Sequence, residues 1–200
     1  MKHTQQHNQL DQKFISKMAF LDSKQRETLI PPELLISQMP IEANHTLLDV
    51  GAGTGFFTIP MAKNTTNKVY AMDPDERMLS VIEGKAKLNG LTNIVLLQDY
   101  LEDLSLPNAT IDFAIASLIL HEVSSLTNAL LKIHEVLKEG GHLLCLEYEK
   151  DPQIIEGPPF GIRIGSDELE KVLILQGFRI VKKVKINEAI YTILAEKKEI

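Results

Sequence analysis

Leu47-Leu48-Asp49-Val50-Gly51-Ala52-Gly53-Thr54-Gly55-Phe56-Phe57-Thr58 is the stretch on which the fold turns. A short apolar run leads directly into three alternating glycines and then into a helix-like segment spanning 55–63. Glycine lacks a Cβ, so the backbone can turn sharply and come close to a ligand where any side chain would collide. The helix start behind the loop offers backbone N–H groups with no intrahelical acceptor, suited to an anionic group. A plain strand–helix turn accounts for one glycine, whereas three in alternation point to a ligand. Two nucleotide-binding loops are excluded by spacing. In G-x-G-x-x-G the third glycine falls on Phe56, and a Walker A loop needs a lysine where none occurs between Val50 and Met61.

Outward from this loop the chain alternates. Apolar runs at 46–50, 68–72, 94–97, 112–120 and 142–147 read as buried strands, separated by helix-like segments at 55–63, 76–88 and 125–138. That order implies a parallel sheet with right-handed crossovers. A loop carrying Gly157, Pro158 and Pro159 follows, then a helix opening at Ser166 and stopping near Gly177. The last two runs, 179–186 and 189–197, are separated by Asn187-Glu188, too short for a crossover helix, so they pair as an antiparallel hairpin. Upstream, residues 1–12 read as a frayed polar tail, and apolar spacing from Phe14 to Met39, broken at Pro31-Pro32, predicts two helices. The expected class is therefore α/β. A seven-stranded, mostly parallel Rossmann-like sheet ends in an antiparallel hairpin, with helices on both faces and an N-terminal helical extension. Residues 1–40 form the tail and a helical lid, and 41–200 the ligand-binding domain.

The ordered set resembles the class I S-adenosylmethionine-dependent methyltransferases over about residues 40–198. Asp49-x-Gly51-x-Gly53-x-Gly55 is similar to their first motif, and Leu137-Lys138-Glu139-Gly140-Gly141 to their turn before the fifth strand, with Glu139 where proline is common. The small-molecule branch, which includes ubiquinone/menaquinone-biosynthesis and arsenite methyltransferases, is the nearest match. Arsenite chemistry there uses several cysteines, and this chain has only Cys145. The resemblance implies S-adenosylmethionine as cofactor, held by Asp49, Gly51, Ala52, Gly53 and Gly55. It implies Asp73 for the ribose hydroxyls beside Pro74, Asp99 and Tyr100 for the adenine, and Ser117 at the end of the fourth strand. A carboxylate suits the ribose because it accepts hydrogen bonds and donates none.

Methyl transfer is an in-line displacement in which positioning supplies much of the rate. Acceptors that are weak acids also need a base. His121, Glu122 and Tyr148 are the candidates near the acceptor, with His121 able to titrate near neutrality. Glu147 and Glu149 flank Tyr148 at the same sheet edge, and Arg163 is available to pair with an anionic substrate or on the surface.

A net charge of −6 argues against a phosphate-backbone partner, which leaves RNA or protein methylation as the weaker alternative. A non-catalytic cofactor-binding regulator remains a further alternative, and a nicotinamide-dependent oxidoreductase ranks last on glycine spacing. No metal spacing is evident, and Cys145 reads as a small buried hydrophobe. Without a signal-like or membrane-length apolar run, the expected setting is cytoplasmic, with a small-molecule acceptor as partner.

Overall fold

The computed structural model describes residues 2–37 and 39–198, with side chains from Gln12 onward. Seven strands form one sheet: β1 Leu47–Val50, β2 Val69–Met72, β3 Ile94–Leu97, β4 Ile111–Ser117, β5 Leu137–Tyr148, β6 Phe178–Lys185 and β7 Ile190–Lys197. Their order is β3-β2-β1-β4-β5-β7-β6. β1 pairs in parallel with both β2 and β4, so the chain reverses direction across the sheet at β1. Ligands of open α/β sheets lie outside the carboxyl ends of the strands at such a switch point. β7 runs antiparallel to both β5 and β6, as the short connection required. Asn187 fixes that turn, its Oδ1 accepting from the Ala189 and Ile190 N–H groups.

The central strands are buried on both faces, which explains their unbroken apolar sequence. One face packs Leu130, Ile133 and Leu169 over Leu143 and Cys145; the other packs Phe57 and Met61 over Phe113 and Leu144. The crossover helices are α4 Thr58–Asn64, α5 Glu76–Leu88, α6 Leu126–Val136 and α7 Ser166–Leu175. Side-chain caps set the starts of two of them. Asp75 accepts from the Arg77 N–H before α5, and Ser125 from the Asn128 N–H before α6.

Three readings shift. The apolar run 112–120 leaves the sheet at Ser117, because Leu118 takes φ +56° and a short 3₁₀ turn, Leu120–Glu122, follows. A continuous apolar run cannot distinguish a buried strand from a buried turn. β5 begins earlier, at Leu137, but makes an excursion: Ile111 pairs with Leu137 and Phe113 with His142, so residues 138–141 bulge out with Gly140 at φ +71°. The N-terminal region holds three helices, α1 Lys2–Leu21, α2 Lys24–Leu29 and α3 Pro32–Ser37. The polar tail continues α1, and the unforeseen break lies at Asp22-Ser23, where the Ser23 side chain accepts from the Arg26 N–H. Among the described residues no helix is long and apolar enough to cross a membrane.

Candidate active site

The glycine loop joins β1 to α4 at the switch point. Gly51, Gly53 and Gly55 all have positive φ, at +65°, +54° and +83°. A Cβ on Gly51 would stand 2.5 Å from Cγ1 of Ile119, so the loop meets the end of β4 with no room for a side chain. Three of the loop's own N–H groups are already engaged. Ala52 donates to the Met72 carbonyl, Gly55 to the Ala52 carbonyl, and Gly53 to Asp73 Oδ2 at 2.9 Å. The anion held by the loop is the protein's own Asp73.

That contact fixes Asp73 at the end of β2. Its Oδ1 accepts from the Asp75 N–H at 2.9 Å, and burial raises its pKa while Lys17 works in the opposite direction. A carboxylate offers about four acceptor positions. Two are occupied here, leaving two for a vicinal diol. Asp49 lies behind the loop instead. It is 2% exposed, accepts from Thr58 Oγ1 at 2.6 Å, and burial pushes its carboxyl up to about 7. It braces the loop from below.

Two cavities meet at Gly51, Ile119 and Glu122. The first, of 430 Å³, is lined by Met72, Pro74, Asp99, Tyr100 and Val123 among others. Asp99 and Tyr100 thus share one wall, although Tyr100 is 64% exposed and Asp99 Oδ2 also accepts from Ser105 Oγ. The second, of 390 Å³, brings Gly51, Ala52, Gly53, Asp73, Ser117, His121 and Tyr148 together with Lys17 and Arg26.

The side chains after β4 are held by β5. His121 Nδ1 lies 2.6 Å from Glu147 Oε2, and Glu147 Oε1 accepts from the Leu120 N–H at 2.8 Å. Both side chains are nearly sealed, at 6% and 1% exposure. Burial alone would lower the His121 pKa; the hydrogen bond and charge of Glu147 overcome this and raise it. Glu122 adds a second carboxylate 3.9 Å from Nε2. With Nδ1 turned to Glu147, Nε2 is the nitrogen left to exchange a proton with a ligand. The left-handed Leu118 gives the turn that brings His121 back beneath β5. A non-glycine residue there costs roughly 1–3 kcal/mol, a strain typical of functional sites.

The three residues at the end of β5 separate by role. Glu147 supports His121 and Tyr148 lines the cavity, while Glu149 turns away to accept from the Ser166 N–H at the start of α7. Arg163 is neither a substrate partner nor a surface ion pair. It is 4% exposed and donates to the carbonyls of Pro158, Ile154 and Glu156, folding the 150–165 loop around itself. Gly157 has φ +87°, and a Cβ there would lie 2.6 Å from the Tyr148 ring. The loop therefore packs directly against that aromatic.

Sequence reasoning missed Lys17 and Arg26. Asp22 Oδ1 accepts from Thr54 Oγ1 at 2.6 Å and Lys85 Nζ at 2.7 Å, tying the end of α1 to the glycine loop and α5. Ser23, a helix-start residue after Asp22, was the one local signal that a new helix begins there.

A family described as a methyltransferase domain matches residues 48–145, which span the glycine loop, Asp73, Asp99 and His121. Over those 98 of its 200 residues the chain is similar to the methyltransferases. The demethylmenaquinone methyltransferase of Geobacillus stearothermophilus is 33% identical over 115 residues, covering 56% of this chain and 49% of that protein. The chain thus spans about half the length of the curated relatives it matches. The crystal structure of a SAM-dependent methyltransferase from Aquifex aeolicus superposes with a TM-score of 0.83 at 28% identity, covering 91% of this chain and 97% of that one. The [4+2]-cyclase SpnF shares the fold, with a TM-score of 0.78 at 20% identity and coverage of 88% and 83%. The cofactor implied by this similarity is S-adenosylmethionine. The site fits it in the spare acceptor positions of Asp73 and in two buried atoms, Arg26 Nε and Ser117 Oγ, that have no hydrogen-bond partner among the described residues and belong to residues lining the second cavity.

Proposed function

We propose that this chain is a methyltransferase that transfers the methyl group of S-adenosylmethionine to a small-molecule acceptor that loses a proton in the reaction. The observation that carries the reading is the convergence of Asp73 and His121, the latter backed by buried Glu147, on one 390 Å³ cavity at the switch point. The cofactor supplies an activated methyl group when bound. In this reading Asp73 accepts from the ribose hydroxyls, and Gly51 and Gly53 allow close backbone approach. Pro74, Asp99 and Tyr100 wall the adenine side. Ser117 lies at the end of β4, facing the reacting region.

His121 acts as general base through Nε2. Glu147 holds the ring in the tautomer that leaves Nε2 unprotonated and stabilises the imidazolium formed when the acceptor proton arrives. Glu122 adds negative charge at the same place, and Tyr148 forms a wall of the acceptor side. Positioning supplies much of the remaining acceleration. Residues 1–40 serve as a lid over 41–200, supported by the Asp22 contacts and by the Arg77 guanidinium 4.3 Å from the Phe14 ring centre. A ring acceptor of the kind named for the Geobacillus relative fits the same proposal. So does a cytoplasmic setting, with Cys145 fully buried.

Calorimetric titration of S-adenosylmethionine and S-adenosylhomocysteine into wild type and Asp73→Ala tests the reading. Micromolar binding by wild type and a loss of at least a hundredfold in the variant is the expected result. A folded wild type that binds neither compound overturns it.

A further inference from the structure

Arg26 takes no part in the proton transfer described above, yet its surroundings are those of half a binding site. It lies on α2, 8% exposed, with Nη1 donating to the Leu21 carbonyl at 3.1 Å and the guanidinium carbon 4.1 Å from the Phe56 ring centre. Among the described residues its buried Nε has no hydrogen-bond partner. Among the described residues no carboxylate pairs with it within 4.0 Å; Asp49 and Asp22 act only from a distance. A buried guanidinium in this state is costly, and burial lowers its pKa accordingly. The planar fork of arginine matches a carboxylate in two parallel hydrogen bonds, a geometry that lysine lacks.

The position of Arg26 says where the missing partner comes from. It lines the 390 Å³ cavity with Gly51, Gly53 and Asp73, and also an adjoining 240 Å³ cavity walled by Phe20, Leu29, Ile30, Leu118 and Tyr148. The larger cavity has a second orphan on its lining, the buried Ser117 Oγ. Lys17 lines it as well, so the N-terminal helices bring two cations to a cleft whose other charged groups, Asp73, His121 and Glu122, come from the sheet edge. We propose that Arg26 receives a carboxylate of a bound ligand, with Ser117 Oγ as a second polar contact on the cavity wall. This rests on the methyl-transfer reading only for the identity of one source. The carboxylate belongs either to the amino-acid end of the cofactor or to an acidic acceptor entering through the 240 Å³ cavity.

The test uses Arg26→Gln and Arg26→Lys, with thermal melting as the fold control. Three probes are titrated calorimetrically: S-adenosylhomocysteine; 5′-methylthioadenosine, which keeps the nucleoside and sulfur without the amino acid; and 4-hydroxybenzoate, with and without the nucleosides. If the cofactor is the source, Arg26→Gln weakens S-adenosylhomocysteine about tenfold to a hundredfold and leaves methylthioadenosine unchanged, with partial recovery in Arg26→Lys. If the acceptor is the source, both nucleosides bind as in wild type while 4-hydroxybenzoate binding is lost. The proposal is overturned if all three titrations are unchanged. It is also overturned if methylthioadenosine weakens as much as S-adenosylhomocysteine, which would make Arg26 a brace for α2. A wild type that binds no nucleoside defeats the methyl-transfer reading alone, since the 4-hydroxybenzoate arm still decides for Arg26.

Discussion

On the β1–β2 side of the cleft the backbone is the instrument: Ala52, Gly53 and Gly55 have their N–H groups engaged within the protein, and Asp73 is pinned by two of its neighbours. On the β4–β5 side the instruments are side chains carried past a strained Leu118, with Ser117 Oγ left unpartnered and His121 held by a carboxylate from the next strand. The first side is complete before a ligand arrives and presents a fixed surface. The second, with Arg26 opposite, leaves polar atoms that a ligand must satisfy.

The largest effect is expected on the β4–β5 side. His121→Ala should lower the methyl-transfer rate by 10²- to 10⁴-fold, about 3–5 kcal/mol in the barrier, with nucleoside affinity unchanged. Glu147→Gln sharpens this result. Because Glu147 raises the His121 pKa, removing its charge moves the imidazole titration, followed by NMR, to lower pH. The neutral base, and the rise in rate that depends on it, then appear at lower pH as well. A titration unmoved by Glu147→Gln would break the pairing, and with it the contrast between the two sides.

Beneath the glycine loop, Asp49 gives the next effect. With its carboxyl pushed up to about 7, the folded state holds a proton that the unfolded chain releases near the ordinary 3.8. Stability is therefore greatest at or below the unfolded value and falls as pH rises towards about 7, then levels off. Asp49→Asn should flatten that fall, which is on the order of 4 kcal/mol at most, in denaturant melts across this range. An unchanged pH slope in the variant would show that Asp49 ionises freely.

The smallest effect comes from a pair of glycines. Gly51→Ala places a Cβ against Ile119 at positive φ and should cost roughly 1–3 kcal/mol, with loss of S-adenosylhomocysteine binding. Gly84, inside α5, has nothing within 4 Å of its would-be Cβ, so Gly84→Ala should stabilise by about 0.4–1 kcal/mol and raise the melting temperature by a few degrees. Equal responses at the two positions would deny the loop its special geometry.

The sheet was legible because each element has a local cause. Val69–Met72 must be buried on both faces, Asp75 caps α5, and Asn187-Glu188 cannot hold a crossover. The glycine loop was legible because positive φ restricts the residue type. Arg26 was not legible, since an arginine in the polar stretch Lys24–Glu27 looks like any solvated helix face until α2 folds against Phe56. Arg163 read as a surface or substrate cation because three backbone carbonyls converging on it leave no trace in spacing.

By itself, the sequence determined the strand–glycine–helix unit, the acid ending β2, the order of alternating elements and the closing hairpin. These rest on backbone sterics, period and connection length, which act over a few residues. Only the tertiary structure decided that His121 meets Glu147 across 26 residues, that Asp22 clasps Thr54, and that Arg26 enters the cleft with its Nε unpartnered among the described residues. Those depend on which side chains distant segments bring together as the sheet edge and the N-terminal helices pack, and no local pattern encodes that meeting.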